Sequence, residues 1–89
     1  MKLTIIPEDK VIVKDGSGIQ FPNNLNDYIS SSIPSDVHAL QWNENSGEIE
    51  YIEHGRSNES ISVLPDWAND CATLHTNESS NVASTDSSE

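Results

Sequence analysis

Apolar and polar side chains alternate along the beginning of the chain, and this period of two predicts β-strands. Leu3 and Ile5 alternate with polar neighbours in the segment 2–6, before the turn-prone sequence PEDK. Val11 and Val13 continue the alternation after that turn. The first part of the chain is therefore predicted to form two short antiparallel strands.

The sequence DGSG at residues 15–18 predicts a tight turn, because aspartate and glycine tolerate the positive φ angles of hairpin loops. Ile19 and Phe21 resume the alternation on the far side of this turn. If Val13 pairs with Ile19, then Val11 pairs with Phe21 and all four side chains share one face. A slip of one residue would turn that whole set to the other face.

A polar, turn-prone stretch, PNNLNDYISSS, follows the third predicted strand. Its apolar residues Leu25, Tyr28 and Ile29 are spaced at about one helical turn, which predicts a loop with one short helical turn. The sequence IPSD at residues 33–36 predicts a tight turn, because proline pre-sets φ and aspartate can bond to nearby backbone.

A second hairpin is predicted from strands at 37–43 and 48–53, joined by a loop at 44–47. Pairing the strands across that loop gives one aromatic and aliphatic face and one largely polar face. The predicted pairs are Trp42 with Ile49, Leu40 with Tyr51, His38 with Glu53, Gln41 with Glu50 and Ala39 with Ile52. Such a pattern is typical of a sheet that is covered on one side. Residues 59–63 predict a short edge strand.

The last predicted element is a helix that starts at Pro65, since proline suits the first helical position. Trp67, Cys71 and Leu74 follow at the i, i+4 and i+7 positions and form one apolar stripe over about two and a half turns. So short a helix is not stable alone, so we expect it to lie across the apolar face of the sheet.

Together these elements predict an α+β fold: an antiparallel β-meander of four to five strands with one short C-terminal helix packed on one face. A single domain is expected over residues 1–75. Residues 76–89 are predicted to be a disordered Ser/Asn/acidic tail, because Val82 is its only sizeable apolar residue. The predicted structural core comprises Phe21, Leu40, Trp42, Ile49, Tyr51 and Trp67, together with Val13.

The balance of charge limits the classes of partner. Fifteen acidic residues face four basic ones, a formal net charge of −11 at pH 7. Because Lys2, Lys10, Lys14 and Arg56 form no cluster, direct binding to nucleic acid or to an anionic membrane is not expected. The acidity has two interpretations: it keeps a small protein soluble, or it forms a face that mimics DNA or docks a basic partner.

Cysteine content and the N-terminal sequence indicate a cytosolic protein. The single cysteine, Cys71, excludes an internal disulfide framework. The sequence MKLTIIPEDK has too short an apolar run for a signal peptide, and no apolar run approaches the roughly 20 residues of a membrane span.

Few residues are candidates for catalysis. His38 beside Glu53 is interpreted either as an acid–base pair or as a polar cross-strand pair. No serine, cysteine or carboxylate lies at a spacing that would complete a nucleophilic site around them. The sequence therefore predicts no enzyme and no catalytic residues.

Metal and cofactor sites are not predicted either. Cys71 and His75 lie at i and i+4 on the helix, but two ligands do not make a zinc site, and Cys71 is better interpreted as a core residue. Glu48, Glu50 and Glu53 lack the spacing of a calcium loop, and Glu48 and Glu50 are expected to face solvent. We expect no cofactor-binding and no metal-binding residues.

Three segments, IPSDVHALQW, SGEIEYIEHG and LPDWANDC, resemble a family of small proteins encoded by tailed phages and prophages. Members of that family begin with a strand hairpin and end in a helix that includes a tryptophan. The matching positions, over about half of the chain, are Pro34, Asp36, Val37, His38, Ala39, Gln41, Trp42, Gly47, Ile49, Glu50, Tyr51, Pro65 and Trp67. The stretch NNLNDYISSS and the serine-rich C-terminal residues differ from the family pattern.

The resemblance implies a phage- or prophage-encoded protein, often associated with late genes for tail and tail-fibre assembly, and it implies no known activity. Together with the lack of candidate catalytic residues, this leads us to expect a non-enzymatic protein that acts through protein–protein contact. Its expected role is tail or tail-fibre assembly, or that of a minor virion component, with another phage or host protein as partner. The expected location is the host cytoplasm, with association with the virion as a further option. The alternative is an acidic inhibitor or DNA mimic that targets a host nucleic-acid-binding enzyme. The oligomeric state is left open.

Overall fold

The computed structural model of the chain describes residues 1–53 and 55–87, with side chains of the helix described as far as residue 78. In this part of the chain there are six strands, one 3₁₀ helix and one α-helix. The strands are β1 (Lys2–Ile6), β2 (Val11–Lys14), β3 (Ser17–Gln20), β4 (Val37–Asn43), β5 (Ser46–Tyr51) and β6 (Glu59–Ile61). The 3₁₀ helix is Leu25–Asp27, and the α-helix, α1, is Asp66–Ser87. The predicted α+β class is confirmed, with six strands where four to five were expected.

All six strands form one antiparallel sheet in the order β3-β2-β1-β4-β5-β6. The sheet thus consists of two three-stranded meanders, β1-β2-β3 and β4-β5-β6, that lie side by side. They join at the two inner strands, where Leu3 pairs with Trp42 and Ile5 with Leu40. The segment between β3 and β4 carries the chain from one edge of the sheet back to its middle.

The hairpin of β2 and β3 has a tighter turn than the sequence suggested. Asp15 and Gly16 have φ angles of +51° and +86°, and they alone separate Lys14 from its partner Ser17. Two consecutive positive φ angles are the requirement of a two-residue hairpin turn. The predicted pairing of Val13 with Ile19 and of Val11 with Phe21 is therefore wrong. Ile19 pairs with Ile12 instead, and this one-residue shift exchanges the faces of β2.

As a result, Ile12 is the residue of β2 that is fully buried in the core. Val11 and Val13 are partly exposed on the opposite face of the sheet. The prediction that Val13 belongs to the core is therefore wrong, and the two-residue turn is the reason.

The second hairpin also closes through two residues, Glu44 and Asn45, and Glu44 has a φ of +59°. Leu40 pairs with Ile49 and Trp42 with Gly47. The pairs predicted across a longer loop are therefore wrong: Trp42 with Ile49, Leu40 with Tyr51, His38 with Glu53, Gln41 with Glu50 and Ala39 with Ile52. Next to the turn, the observed pairing differs from the predicted pairing by two residues. Because side chains alternate with a period of two, Leu40, Trp42 and Ile49 keep the face that was predicted for them.

The core lies on one face of the sheet, under α1 and the segment between β3 and β4. Helix α1 packs against β1 and β2. The core cluster contains Leu3, Ile5, Ile12, Phe21, Leu25, Ile33, Val37, Leu40, Trp42, Ile49, Trp67, Ala68, Cys71 and Ala72. Of the predicted core residues, Phe21, Leu40, Trp42, Ile49 and Trp67 are buried, and Tyr51 is partly buried against the cluster.

Helix α1 continues beyond the two and a half turns that its apolar stripe predicted. Lys14 donates from its Nζ atom to the hydroxyl of Thr76, so this part of the helix is attached to the end of β2. The side chains from residue 79 onward, and all of Ser88 and Glu89, lie outside the described part of the chain. The disorder predicted for residues 76–89 therefore stays a prediction.

Candidate functional site

The structure does not bring His38 and Glu53 together. A β-bulge between Val37 and Ala39 leaves His38 exposed on β4, and β5 ends at Tyr51, before Glu53. The carboxylate near His38 is that of Glu8, whose Oε2 atom lies 3.8 Å from the His38 Nδ1 atom. Both side chains are at least half exposed, so this is a loose surface pair.

Cys71 and His75 are both buried, but each has a structural partner. Cys71 is fully buried in the core, and desolvation, with a smaller effect of the Asp70 charge, raises the pKa of its thiol to about 12. The Nε2 atom of His75 lies 2.6 Å from the carbonyl oxygen of Ser17. Because a carbonyl only accepts, Nε2 carries the proton and attaches α1 to β3. The interpretation of Cys71 as a core residue is confirmed.

The acidic residues of β5 face solvent. Glu48 is exposed and Glu50 is partly exposed. The Nε2 atom of Gln41 donates to Glu50 Oε2 at 3.0 Å, and Asn58 Nδ2 donates to Glu48 Oε2 at 3.4 Å. Among the residues that the structure describes, no three potential metal ligands converge.

An open apolar groove lies beside the inner strands, at the end of the sheet that carries the β1–β2 turn. It has a volume of about 410 Å³. Three separate segments line it: the turn after β1, the segment that leads into β4, and the residue after β5. Most of the lining is aliphatic, from Pro7, Ile33, Pro34, Val37 and Ile52, with Glu8, Asn26 and Ser35 as polar members. We call this set the apolar groove.

Ile52 is the large exposed hydrophobic side chain of the groove, and Pro34 beside it is exposed as well. Its exposed fraction is 55%, whereas Ile33 and Val37 are buried at 6% and 4%. The backbone N–H of Ile52 donates to the carbonyl oxygen of Asp36 at 2.9 Å, which attaches Ile52 to the start of β4. Ile52 therefore presents a large apolar surface to solvent from a hydrogen-bonded backbone position.

Four side chains hold the turn after β5 against the start of β4, and we call them the Arg56 cluster: Asp36, Tyr51, Arg56 and Glu59. The Arg56 guanidinium pairs with the Asp36 carboxylate, and its Cζ atom lies 3.6 Å from the centroid of the Tyr51 ring. The Tyr51 hydroxyl donates to Glu59. This hydrogen bond, followed by desolvation and the Glu59 charge, raises the pKa of the Tyr51 hydroxyl.

Sequence reasoning missed the apolar groove because its residues come from three distant segments. One signal was available: Ile52 was the large aliphatic residue that the predicted pairing placed on the polar face. The bulge in β4 left no comparable signal, yet it determines where Ile52 and His38 lie.

No protein-family model, no curated protein and no solved structure matches the chain. The resemblance to the phage family therefore rests on the quoted residues and stays a prediction. In the described part of the chain, no helix has the length and apolar character needed to cross a membrane.

Proposed function

We propose that this is a non-enzymatic phage or prophage protein that acts through protein–protein contact, in tail or tail-fibre assembly or as a minor virion component. The observation that carries the proposal is Ile52, a large apolar side chain with 55% exposure at an apolar groove. Contiguous apolar surface marks contact sites on proteins, and Ile52 continues the aliphatic lining of the groove. The phage origin rests on the family resemblance of the second hairpin and the helix start.

The hydrogen-bonded backbone around Ile52 supports the same proposal. Binding costs free energy when loops and side chains must be ordered, and a preformed surface reduces that cost. The Arg56 cluster and the hydrogen bond to Asp36 attach the residues on either side of Ile52 to the start of β4.

Ile52 alone cannot supply the affinity. Complete burial of an isoleucine side chain stabilises by about 1.5–3 kcal/mol, and part of that burial is already present. A specific interface normally buries about 800 Å² on each partner. The contact must therefore include the groove walls and neighbouring surface, with Ile52 as its anchor.

The runner-up function, an acidic inhibitor that occupies the basic groove of a host nucleic-acid enzyme, is favoured by the net charge of −11. Such an inhibitor would bind through rows of carboxylates, and salt would weaken its binding steeply. Contact through the apolar groove would persist in salt, so ionic strength separates the two functions.

The test is a pull-down with the tagged protein from cells in which the encoding phage or prophage is active, washed first at low and then at high salt. We expect a tail or tail-fibre protein to remain through the high-salt wash and to be lost with Ile52→Ser. Val63→Ser is the matched control, because Val63 is 76% exposed but does not line the groove.

Two results would reject the proposal. One is a captured partner that is a host nucleic-acid enzyme released at high salt, which would favour the inhibitor. The other is equal capture of tail proteins by the native protein and the Ile52→Ser variant.

A further inference from the structure

The apolar groove is built to receive side chains, not an added strand. It lies where β1 and β4 diverge, beyond their last pair, Ile5 with Leu40. The N–H groups of Val37 and Ile52 there already donate to the carbonyl oxygens of Pro34 and Asp36. Pro7 and Pro34 in its walls have no backbone N–H to offer. A partner chain therefore cannot extend the sheet here by main-chain hydrogen bonds, which is the basis of strand addition.

The floor of the groove matches aliphatic side chains. Ile33 and Val37 are buried at its base, and Ile52 stands at the side with more than half of its surface exposed. An aliphatic side chain placed against them would remove from water its own apolar surface and that of Ile52.

The groove also has a carboxylate whose ionic partner is only loosely placed. The Glu8 side chain is 75% exposed, and its nearest ionic partner is the His38 Nδ1 atom, at 3.8 Å. Among the described residues, no lysine or arginine lies within salt-bridge distance of Glu8, and Arg56 is already paired with Asp36. With a net charge of −11 on the chain, a cation from a partner is attracted to this position, whereas an anion is repelled.

We infer that the apolar groove binds a segment of a protein partner in which an aliphatic side chain lies next to a lysine or arginine. The aliphatic side chain occupies the space among Ile33, Val37 and Ile52, and the basic side chain pairs with Glu8. The inference rests on the proposed function, since it names the chemistry of the partner at the same surface.

The test uses the full chain, labelled at isoleucine and valine methyl groups for NMR. The probes are three blocked octapeptides with alternating Lys and Val, Glu and Val, or Lys and Ser. We expect the Lys–Val peptide to shift the methyl signals of Ile33, Val37 and Ile52. The other two peptides are expected to bind at least about tenfold more weakly.

Two pairs of variants separate the contributions. Glu8→Gln should weaken the Lys–Val peptide about two- to fivefold, the effect of one surface ion pair, while Asp9→Asn, an equal charge change in the same turn, should not. Ile52→Ser should weaken binding about tenfold, and Val63→Ser should leave it unchanged. Unchanged methyl signals of Ile5 and Ile12 verify that each variant is folded, because both side chains are fully buried.

The inference is overturned if the Lys–Val peptide does not bind, or if the Lys–Ser or Glu–Val peptide binds as tightly. It is also overturned if the shifts lie outside the groove or if Asp9→Asn acts like Glu8→Gln. If the peptides fail while Ile52→Ser still abolishes capture of a tail protein, the proposed function stands and only the partner chemistry is wrong. If Ile52→Ser retains that capture, the proposed function fails independently of the peptides.

Discussion

Gly47 illustrates how one residue can be fixed by its neighbours instead of by its own backbone conformation. It pairs with Trp42 across the second hairpin. A Cβ atom built at Gly47 would lie 2.3 Å from the carbonyl oxygen of Gln41 and 3.0 Å from the Trp42 Cα atom. Both obstacles are backbone atoms that cannot turn aside, so position 47 requires glycine.

We predict that Gly47→Ala lowers the free energy of unfolding by about 1–3 kcal/mol, the usual cost of overpacking. Gly18→Ala is the matched control, because its Cβ would lie at an ordinary contact distance, 3.4 Å, from a side-chain atom, Val13 Cγ2. Alanine there should be close to neutral, since it also reduces the freedom of the unfolded chain. Urea unfolding of both variants measures the difference, and equal costs would contradict the steric explanation.

At the scale of elements, the two hairpin turns account for most of what the sequence did not predict. Alternation located the strands, but DGSG fits loops of several lengths, and the two-residue turn reversed the faces of β2. In the second hairpin the turn begins with Glu44 at φ +59°, and glutamate gives no signal for a positive φ. There the register moved by two residues, so the predicted core residues Leu40, Trp42 and Ile49 stayed inside.

The segment between β3 and β4 is hydrogen-bonded to α1 through the Asp70 carboxylate. The backbone N–H of Ser31 donates to Asp70 Oδ2 at 3.1 Å, and the Ser31 hydroxyl donates to the same oxygen. These two bonds lower the pKa of Asp70 below its usual range, against a smaller effect of desolvation. Since Leu25 and Ile33 of this segment are core residues, the attachment bears on the packing of the whole face.

Because the pKa of Asp70 is lower in the folded state, its contribution to stability is complete above the unfolded pKa of about 4 and is lost as the pH falls through the folded value. We predict that Asp70→Asn reduces the loss of stability between pH 5 and pH 2 relative to the native protein. Urea unfolding at several pH values measures this loss. Ser31→Ala should reduce it in the same direction, and identical pH profiles for all three proteins would contradict the role of this contact.

At the scale of the whole molecule, the excess of fifteen acidic over four basic residues determines the long-range electrostatics. Folding brings these like charges closer together, so self-repulsion opposes the compact state. The screening length falls from about 30 Å at 0.01 M salt to about 8 Å at 0.15 M. Stability should therefore depend on ionic strength in a direction set by net charge.

We predict that the melting temperature rises as NaCl increases from 0.01 to 0.2 M, because screening relieves this repulsion. Scanning calorimetry or circular dichroism measures the change. The double variant Glu48→Gln with Glu50→Gln should show a smaller rise, since it removes two of the acidic charges. A melting temperature that is constant or falls with salt would mean that local ion pairs, such as Arg56 with Asp36, outweigh the net charge.

The whole-molecule view also explains why the candidate site could not be predicted. Composition and periodicity assign each residue to an element and a face. They predicted the α+β class correctly, and most of the residues that they placed in the core are buried. The apolar groove depends on where three segments far apart in the chain meet: Pro7, the run from Asn26 to Val37, and Ile52. No spacing within one element encodes that meeting.

The junction of β1 with β4 has a consequence for how the protein folds. Each meander consists of neighbouring segments and can form locally, but the pair Leu3 and Trp42 must close a long loop. Until this junction forms, each half exposes an unpaired inner strand whose sequence is rich in apolar residues. Such edges pair readily with other chains, so slow joining of the halves would lead to aggregation. The yield of native protein on refolding should therefore depend on protein concentration more than its final stability would suggest.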